Sequence, residues 1–186
     1  MTTKILITCL NINRNVSSYS KLIIFIFILV VFSTVVVLID SSVDTINKSM
    51  PEVSDGIVKG DQDYNEAVDL VNNKSFKEAM DKADSAENNF NNSLNKLKEI
   101  RGKFSKDISD IHKDYINAAY DELELKRDAV SKLKDAIECF EVNKNATGTE
   151  YALEANDYMN RSLEYENSRN SLVENNPNLF KDNSLF

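Results

Sequence analysis

The stretch Phe76–Ile111, FKEAMDKADSAENNFNNSLNKLKEIRGKFSKDISDI, decides the fold class of this chain. Its apolar side chains follow one another at steps of 4, 3, 7, 4, 3, 7, 4 and 3 residues: Phe76, Met80, Ala83, Phe90, Leu94, Leu97, Phe104, Ile108 and Ile111. A sustained seven-residue repeat is typical of a long helix that packs along one narrow seam. The sequence therefore predicts a long helix with coiled-coil-like packing.

The start of this helix carries a capping-box pattern. Ser75 precedes the first apolar residue, and Glu78 follows three positions later. In a capping box the serine oxygen accepts from the Glu amide, while the carboxylate accepts from the serine amide. The boundary with the next helix is less well marked, since Ser105 and Ser109 are both candidate caps.

Helical spacing continues on both sides of this stretch. A first helix is predicted from the recurrence of Tyr64, Ala67, Val68 and Val71. A later stripe also falls on one helical face: Tyr115, Ala119, Leu123, Val130, Leu133, Ile137 and Phe140. Asn143–Gly148 interrupts the pattern, and a last helix is predicted from about Thr149.

Turn-forming residues are scarce, because the 186 residues include only four Gly and two Pro. This argues against a many-stranded sandwich, barrel or propeller. We expect an all-α fold, an up-and-down helical-hairpin bundle of about four helices over residues 61–174. Residues 40–60 are predicted to be a connector and residues 175–186 a polar tail.

A weak internal echo relates the two halves. Val71-Asn-Asn-Lys, followed by Ala79 and Met80, resembles Val142-Asn-Lys-Asn, followed by Ala152 and Leu153. The segment from Asn73 to Ala86 resembles the middle of a tetratricopeptide repeat, which implies paired helices that pack closely. The large aromatic, the Leu-Gly and the closing Pro of that repeat are missing, so we interpret the echo as helical-hairpin packing.

The stretch Leu22–Ile39 is uncharged, with Ser33 and Thr34 as its polar residues. As a helix it spans about 27 Å, close to the thickness of a hydrocarbon core. We predict an uncleaved transmembrane signal-anchor helix. The alternatives are a fully buried core helix, a cleaved signal peptide, for which the apolar run is long, and a type IV pilin-like leader, for which the processing site is unconvincing.

Charge is unevenly distributed along the chain. Residues 1–39 carry three basic and no acidic side chains, whereas the rest carry 19 basic and 30 acidic ones. The positive-inside rule keeps the basic segment 1–21 in the cytoplasm and exports the C-terminal domain at the cell membrane. An acidic body without a basic stripe repels phosphates, which argues against nucleic-acid binding.

The two cysteines fit this topology. Cys9 and Cys139 would lie on opposite sides of the membrane, so we expect no disulfide within one chain. Cys139 is predicted to be a half-buried small hydrophobic residue, with an intermolecular disulfide as the alternative.

Motifs for catalysis and metal binding are weak or missing. Asp61-x-Asp63-x-Asn65 opens like a calcium loop, but Glu66 and Asn72 stand where Gly and a bidentate Glu are needed. The single histidine, His112, rules out a di-metal carboxylate site with two Glu-x-x-His pairs. We expect no catalytic, cofactor-binding or metal-binding residues, no cofactor, and no enzyme activity. His112 is predicted to be an exposed helix residue.

Two further features are candidate sites. Tyr151, Tyr158 and Tyr165 are seven residues apart and either line a groove for a ligand or partner or form the edge of the core. Of five Asn-x-Ser/Thr sequences after the apolar stretch, Asn145 is the candidate glycosylation site because it lies in a predicted turn.

These features favour a single-pass membrane protein that displays an acidic extracytoplasmic helical bundle for protein–protein interaction, self-association or envelope structure. The alternative is the ectodomain of a sensory complex that binds a small ligand and acts through a partner membrane protein. The sequence does not identify the partner, the oligomeric state or the pathway.

Overall fold

The computed structural model of the chain describes residues 41–103 and 108–180. These residues form four packed α-helices and no strand: α1 (Ser41–Asn72), α2 (Phe76–Gly102), α3 (Asp110–Glu141) and α4 (Asn145–Asn175). The prediction of an all-α fold of four helices is confirmed. The predicted transmembrane helix and the basic segment before it lie outside the described residues. Within the described ranges, no helix is both long and apolar enough to cross a membrane.

Successive helices make the main contacts. α1 packs on α2 and α3 packs on α4, each pair joined by a short turn. The two hairpins meet where α2 packs on α3, and α1 touches α3 more lightly. α3 therefore contacts all three other helices.

The predicted connector is helical, so the boundary at residue 60 is wrong: α1 begins at Ser41. Its glycines are points of close helix contact and not turns. A Cβ atom on Gly56 would lie 2.1 Å from Ser93 Oγ, and one on Gly60 would lie 2.2 Å from Phe90 Cε1. Only a residue without a side chain lets α2 approach α1 so closely, and this packing outweighs the low helix propensity of glycine.

The two hairpin turns have the same backbone geometry. Lys74 and Asn143 are both left-handed, with φ of 60° and 59°. In the first turn Ser75 N donates to Leu70 O (2.9 Å), and in the second Lys144 N donates to Cys139 O (2.8 Å). These are the bonds of a Schellman helix end. Each position of the first hairpin therefore has an equivalent position 69 residues later in the second hairpin (143 minus 74).

Burial follows the same offset. The buried residues of α1 are Val53, Ile57, Gly60, Tyr64 and Ala67, and their counterparts in α3 are Glu122, Lys126, Ala129, Leu133 and Ala136, all buried. The buried residues of α4 are Gly148, Ala155, Ser162, Glu166 and Arg169, and their counterparts in α2 are Ala79, Ala86, Ser93, Leu97 and Ile100, all buried. The predicted echo between the halves exists, but its register differs from the one that the sequence indicated, by two residues for Val71 and Val142 and by four for Ala79 and Ala152.

Helix starts were predicted with mixed success. Ser109 caps α3, since its Oγ accepts from His112 N at 3.3 Å. Ser75 occupies the N-cap of α2, but its side chain makes no capping hydrogen bond, so the predicted capping box is wrong. α4 begins at Asn145, four residues before the predicted start at Thr149. The seven-residue pattern crosses a helix boundary, because α2 ends at Gly102 and Ile111 belongs to α3.

The first residues of the predicted tail are docked on the bundle. Phe180 is buried and packs against the rings of His112 (5.1 Å between centroids) and Tyr115 (5.4 Å). His112 Nε2 lies 3.1 Å from Leu179 O, and its Nδ1 lies 2.8 Å from Ser109 Oγ. His112 is therefore buried, contrary to the prediction, because the returning tail covers it.

Candidate functional site

The two hairpins differ in chemistry at four equivalent buried positions. The first hairpin has apolar residues there, Val53, Ile57, Leu97 and Ile100. The second has Glu122, Lys126, Glu166 and Arg169. The second hairpin therefore encloses a buried ionic cluster where the first encloses ordinary core. We take this ionic cluster, with Asp61 and Tyr115 beside it, as the candidate site.

Lys126 lies between two carboxylates, those of Asp61 and Glu122. Its Nζ lies 2.7 Å from Asp61 Oδ2 on α1 and 3.1 Å from Glu122 Oε1 one turn earlier on α3. The Lys126 side chain is 2% exposed and that of Glu122 is 0% exposed. Water therefore cannot screen these charges, and each depends on its partner for stabilisation.

Arg169 holds the α4 side of the ionic cluster. Its Nε donates to Glu122 Oε2 at 2.8 Å, and its Nη1 donates to the Tyr115 hydroxyl at 3.2 Å. The guanidinium carbon also lies 5.5 Å from the centre of the Tyr115 ring. Arg169 thus joins α4 to α3 through one carboxylate and one phenol.

Two carboxylates of the ionic cluster have a buried oxygen without a hydrogen-bond partner among the described residues; that of Glu122 still pairs with Lys126 at 3.1 Å, and the other belongs to Glu166. Glu166 is 6% exposed, and its Oε2 is buried without a hydrogen-bond partner among the described residues. Burial raises its pKa to about 7, and the nearby Glu122 and Asp61 add to the rise against the opposing effects of Lys126 and Arg169. Glu166 is therefore the carboxyl group that changes charge near neutral pH.

The charges of the ionic cluster explain this behaviour. When all are ionised, three carboxylates (Asp61, Glu122 and Glu166) face two cations, so one negative charge is in excess. Burial alone would lower the pKa of Lys126, but Asp61, Glu122 and Glu166 raise it above its usual value. Burial raises the pKa of Asp61 despite its bond to Lys126. The cations stay charged, and a proton on Glu166 makes the ionic cluster neutral.

The ionic cluster is connected to the docked tail. Tyr115 accepts from Arg169 and packs against Phe180. Burial lowers the pKa of His112, on the other side of Phe180, although its bond to the Leu179 carbonyl opposes this. A chain of contacts therefore runs from the tail through Tyr115, Arg169, Glu122 and Lys126 to Asp61 of α1.

The predicted tyrosine site lies outside the ionic cluster. Tyr151 and Tyr158 are half-buried, and Tyr165 is 37% exposed. Lys132 Nζ lies 5.0 Å from the Tyr151 ring centre, and Arg161 Cζ lies 5.5 Å from that of Tyr158. These cations pack on two of the rings, and the groove stays a prediction.

Asn145 and Cys139 lie near the turn between α3 and α4. Asn145 is exposed at the start of α4, where its carbonyl accepts from Thr149 Oγ1 (2.8 Å), so the candidate glycosylation site is on a helix and not in a turn. Cys139 is half-buried, as predicted, and is not in a disulfide.

The acidic side chains that resembled a calcium loop point to different neighbours. Asp61 binds Lys126 on α3, whereas Asp63 accepts from Lys82, Ser85 and Asn89 on α2 (3.1, 2.7 and 3.1 Å). Two residues apart on a helix, the two carboxylates point to different sides of α1 and do not meet. Over residues 41–103 and 108–180 no group of His, Cys, Asp or Glu side chains is placed to hold a metal ion.

Sequence reasoning missed the ionic cluster. Its charges pair across helices, as Glu122 of α3 does with Arg169 of α4, and spacing within one helix does not indicate such a pair. The available signal was register: Glu122 and Lys126 lie at inward steps between Ala119 and Val130, and Glu166 and Arg169 follow Ser162 at steps of four and three.

Comparison of this chain with models of known protein families, with curated proteins and with solved structures finds no match.

Proposed function

We propose that this chain is a single-pass membrane protein that presents its acidic helical bundle outside the cell for protein–protein interaction. The observation that carries the proposal is the uncharged stretch Leu22–Ile39, with basic residues before it and acidic residues after it. Eighteen uncharged residues match the length of a transmembrane helix, and the flanking charges set its orientation.

The start of α1 supports this arrangement. α1 begins at Ser41, so Asp40 alone separates it from the end of the proposed span. The 32 residues of α1 extend about 48 Å as a helix, and both hairpin turns lie at the end of the bundle away from Ser41.

The hairpin turns are then the most accessible part of the proposed ectodomain. Lys74 and Asn143, at their tips, are exposed, and so is Val142 (59%). These exposed side chains would be available to a partner at the membrane-distal end of the bundle. Display for binding is the function that these features favour.

Membrane insertion is tested by fractionation of cells that express the full-length chain. We expect it to sediment with membranes and to resist alkaline extraction. The control variant carries Ile28→Arg with Val31→Arg, each of which costs about 2.5–3.5 kcal/mol at the centre of a span. A wild-type chain that fractionates like this variant would refute the anchor.

Orientation is tested by adding protease to intact cells. We expect residues 41–186 to be digested while a tag before Lys4 stays protected. Protection of residues 41–186 would overturn the proposed topology. Cross-linking in native membranes followed by mass spectrometry then identifies the partner, and the absence of any foreign protein would favour a structural or self-associating role.

A further inference from the structure

Besides the Lys126–Asp61 bond, the described residues join the two hairpins through specific bridges between α2 and α3. Between α2 and α3, Lys134 Nζ binds Asp84 (2.7 Å) and Glu87 (2.8 Å). In the same contact Arg101 lies 4.4 Å from the Tyr120 ring centre. These bridges hold the first hairpin to the second.

The offset of 69 residues gives the counterparts of these bridges on α1 and α4. Asn65 replaces Lys134, while Leu153 and Asn156 replace Asp84 and Glu87. At the positions equivalent to Arg101 and Tyr120 the chain has Asn170 and Pro51. No bridge between α2 and α3 is repeated between α1 and α4, and in the described part of the chain these two helices share far fewer contacts than α2 and α3 do.

Burial reflects this difference. Ala83, Phe90 and Leu94 of α2 are 0%, 0% and 2% exposed. Their counterparts on α4, Ala152, Met159 and Leu163, are only half-buried, and Leu153 beside them is 56% exposed. One side of α3 faces α2. The α1 residues at the positions equivalent to that side are also half-buried: Ser54, Val58, Asn65 and Val68. The α1–α4 side is therefore the less covered side of the bundle.

The α4 part of this side is uncharged over six turns. It comprises Thr149, Ala152, Leu153, Asn156, Met159, Asn160, Leu163, Asn167 and Asn170. The whole chain is 28% charged and has a net charge of −8. Two copies of so acidic a protein repel each other, and an uncharged face is where they approach at least electrostatic cost.

We propose that this side is a dimer interface, in which α4 of one copy packs against α1 of a second copy, reciprocally about a two-fold axis along the bundle. Each contact between copies reproduces the antiparallel packing of α2 on α3. An axis in this direction leaves the N-termini of both copies at the same end, as anchoring in one membrane requires. In that respect the dimer rests on the proposed membrane function.

Cysteine cross-linking of the full-length chain tests the arrangement in membranes. Two differently tagged chains, both with Cys9→Ser and Cys139→Ala, are co-expressed, one with Asn65→Cys and the other with Asn156→Cys. Lys134 contacts Glu87 at the equivalent positions, so we expect a short bismaleimide to join the two chains. The matched control is Asn88→Cys, on the exposed side of α2, which should cross-link to neither.

A disrupting variant checks that the same face is responsible. Leu153→Glu adds a charge at an exposed position, so folding is unaffected, and we expect about a tenfold lower yield of the 65–156 product, equivalent to about 1.4 kcal/mol. Dominant 156–156 or 65–65 products would overturn the reciprocal arrangement. A third chain, which carries both Asn65→Cys and Asn156→Cys, is expressed alone; cross-links confined to single copies of it would show that α1 and α4 close on each other within one molecule and would overturn the dimer.

The test separates this proposal from the membrane assignment. If the chain fractionates with membranes but gives no 65–156 product, the dimer fails and the anchor stands. If the chain stays out of membranes and the product still forms, the interface stands and the anchor fails.

Discussion

Lys126 of α3 donates to Asp61 of α1 across 2.7 Å, and this bond links the first hairpin to the ionic cluster of the second. The residue of α1 equivalent to Lys126 is Ile57, one turn before Asp61. The two hairpins share one pattern of burial. At this position the first hairpin has an apolar side chain and the second has a cation. The stability of the bundle depends on how that cation is partnered.

Replacement of Lys126 by Met should be strongly destabilising. The change keeps most of the side-chain volume but leaves Asp61 and Glu122 without their shared cation, and breaking a buried pair in this way costs about 3–5 kcal/mol. Urea unfolding of the purified full-length chain measures the loss. Lys132→Met, which breaks the more exposed pair with Glu154, is the matched control and should cost about 1 kcal/mol or less. Equal losses in the two variants would contradict a special role for Lys126.

Replacement of the ionic cluster by the apolar residues found at the equivalent positions of the first hairpin should preserve the fold. The variant combines Glu122→Val, Lys126→Ile, Glu166→Leu and Arg169→Ile with Asp61→Val, which takes the residue of the equivalent Val130. Replacement of a whole buried ionic group by apolar residues is often neutral or stabilising by about 1–4 kcal/mol. Circular dichroism should show unchanged helix content and an equal or higher Tm. Loss of helix content would mean that the ionic cluster determines the packing of the hairpins.

Glu166 should make the stability of the bundle depend on pH near neutrality. Its pKa is about 7 in the folded chain, against about 4.3 for an unperturbed Glu, so the folded state binds the proton more tightly. The stabilisation is present at low pH and is lost as the pH rises through 7. Between pH 6 and 8 the loss is about 1–1.5 kcal/mol.

Urea unfolding at these two pH values compares the wild type with Glu166→Gln, which carries no titratable proton and should lack this loss. Glu164→Gln changes an exposed neighbour and should behave like the wild type. His112 is common to all three chains, so its own titration cancels in the comparison. A wild type whose stability changes between pH 6 and pH 8 by the same amount as that of Glu166→Gln would contradict the assignment to Glu166.

The docked tail should be released by acid. The pKa of His112 lies below its usual value, because burial disfavours the charged ring. Its contribution to stability is present above the unfolded pKa, about 6.5, and is lost as the pH falls through the lower folded value. We expect cleavage of the full-length chain near Phe180 by a protease active across this range to be faster at pH 5 than at pH 7.

Phe180→Ala should reproduce this release at pH 7. Removal of the buried ring loses about 1.5–3 kcal/mol of burial, which corresponds to roughly 10- to 100-fold faster cleavage. Asn178→Ala alters an exposed tail residue and serves as the control. Cleavage of Phe180→Ala at the wild-type rate would show that the ring does not hold the tail in place.

Part of this structure was predictable because the spacing of apolar residues within a few turns indicates a helix. The seven-residue repeat from Phe76 indicated helix, and Ser109, which caps α3, was one of the two candidate caps, with Ser105. The helical state of residues 41–60 was not predicted, because Pro51, Gly56 and Gly60 are local turn signals. In the folded chain the two glycines lie instead where Ser93 and Phe90 of another helix approach α1.

The amino-acid sequence by itself determined that the described chain is helical, that it is acidic, and where an uncharged stretch precedes the bundle. These properties depend on composition and on spacing within a few turns. The tertiary structure decided the register of the two hairpins, the burial of His112 beneath the tail, and the meeting of Asp61, Lys126, Glu122 and Arg169. Contacts between residues 47 or 65 positions apart arise only when helices pack, and burial then turns ordinary surface residue types into an ionic cluster with shifted pKa values.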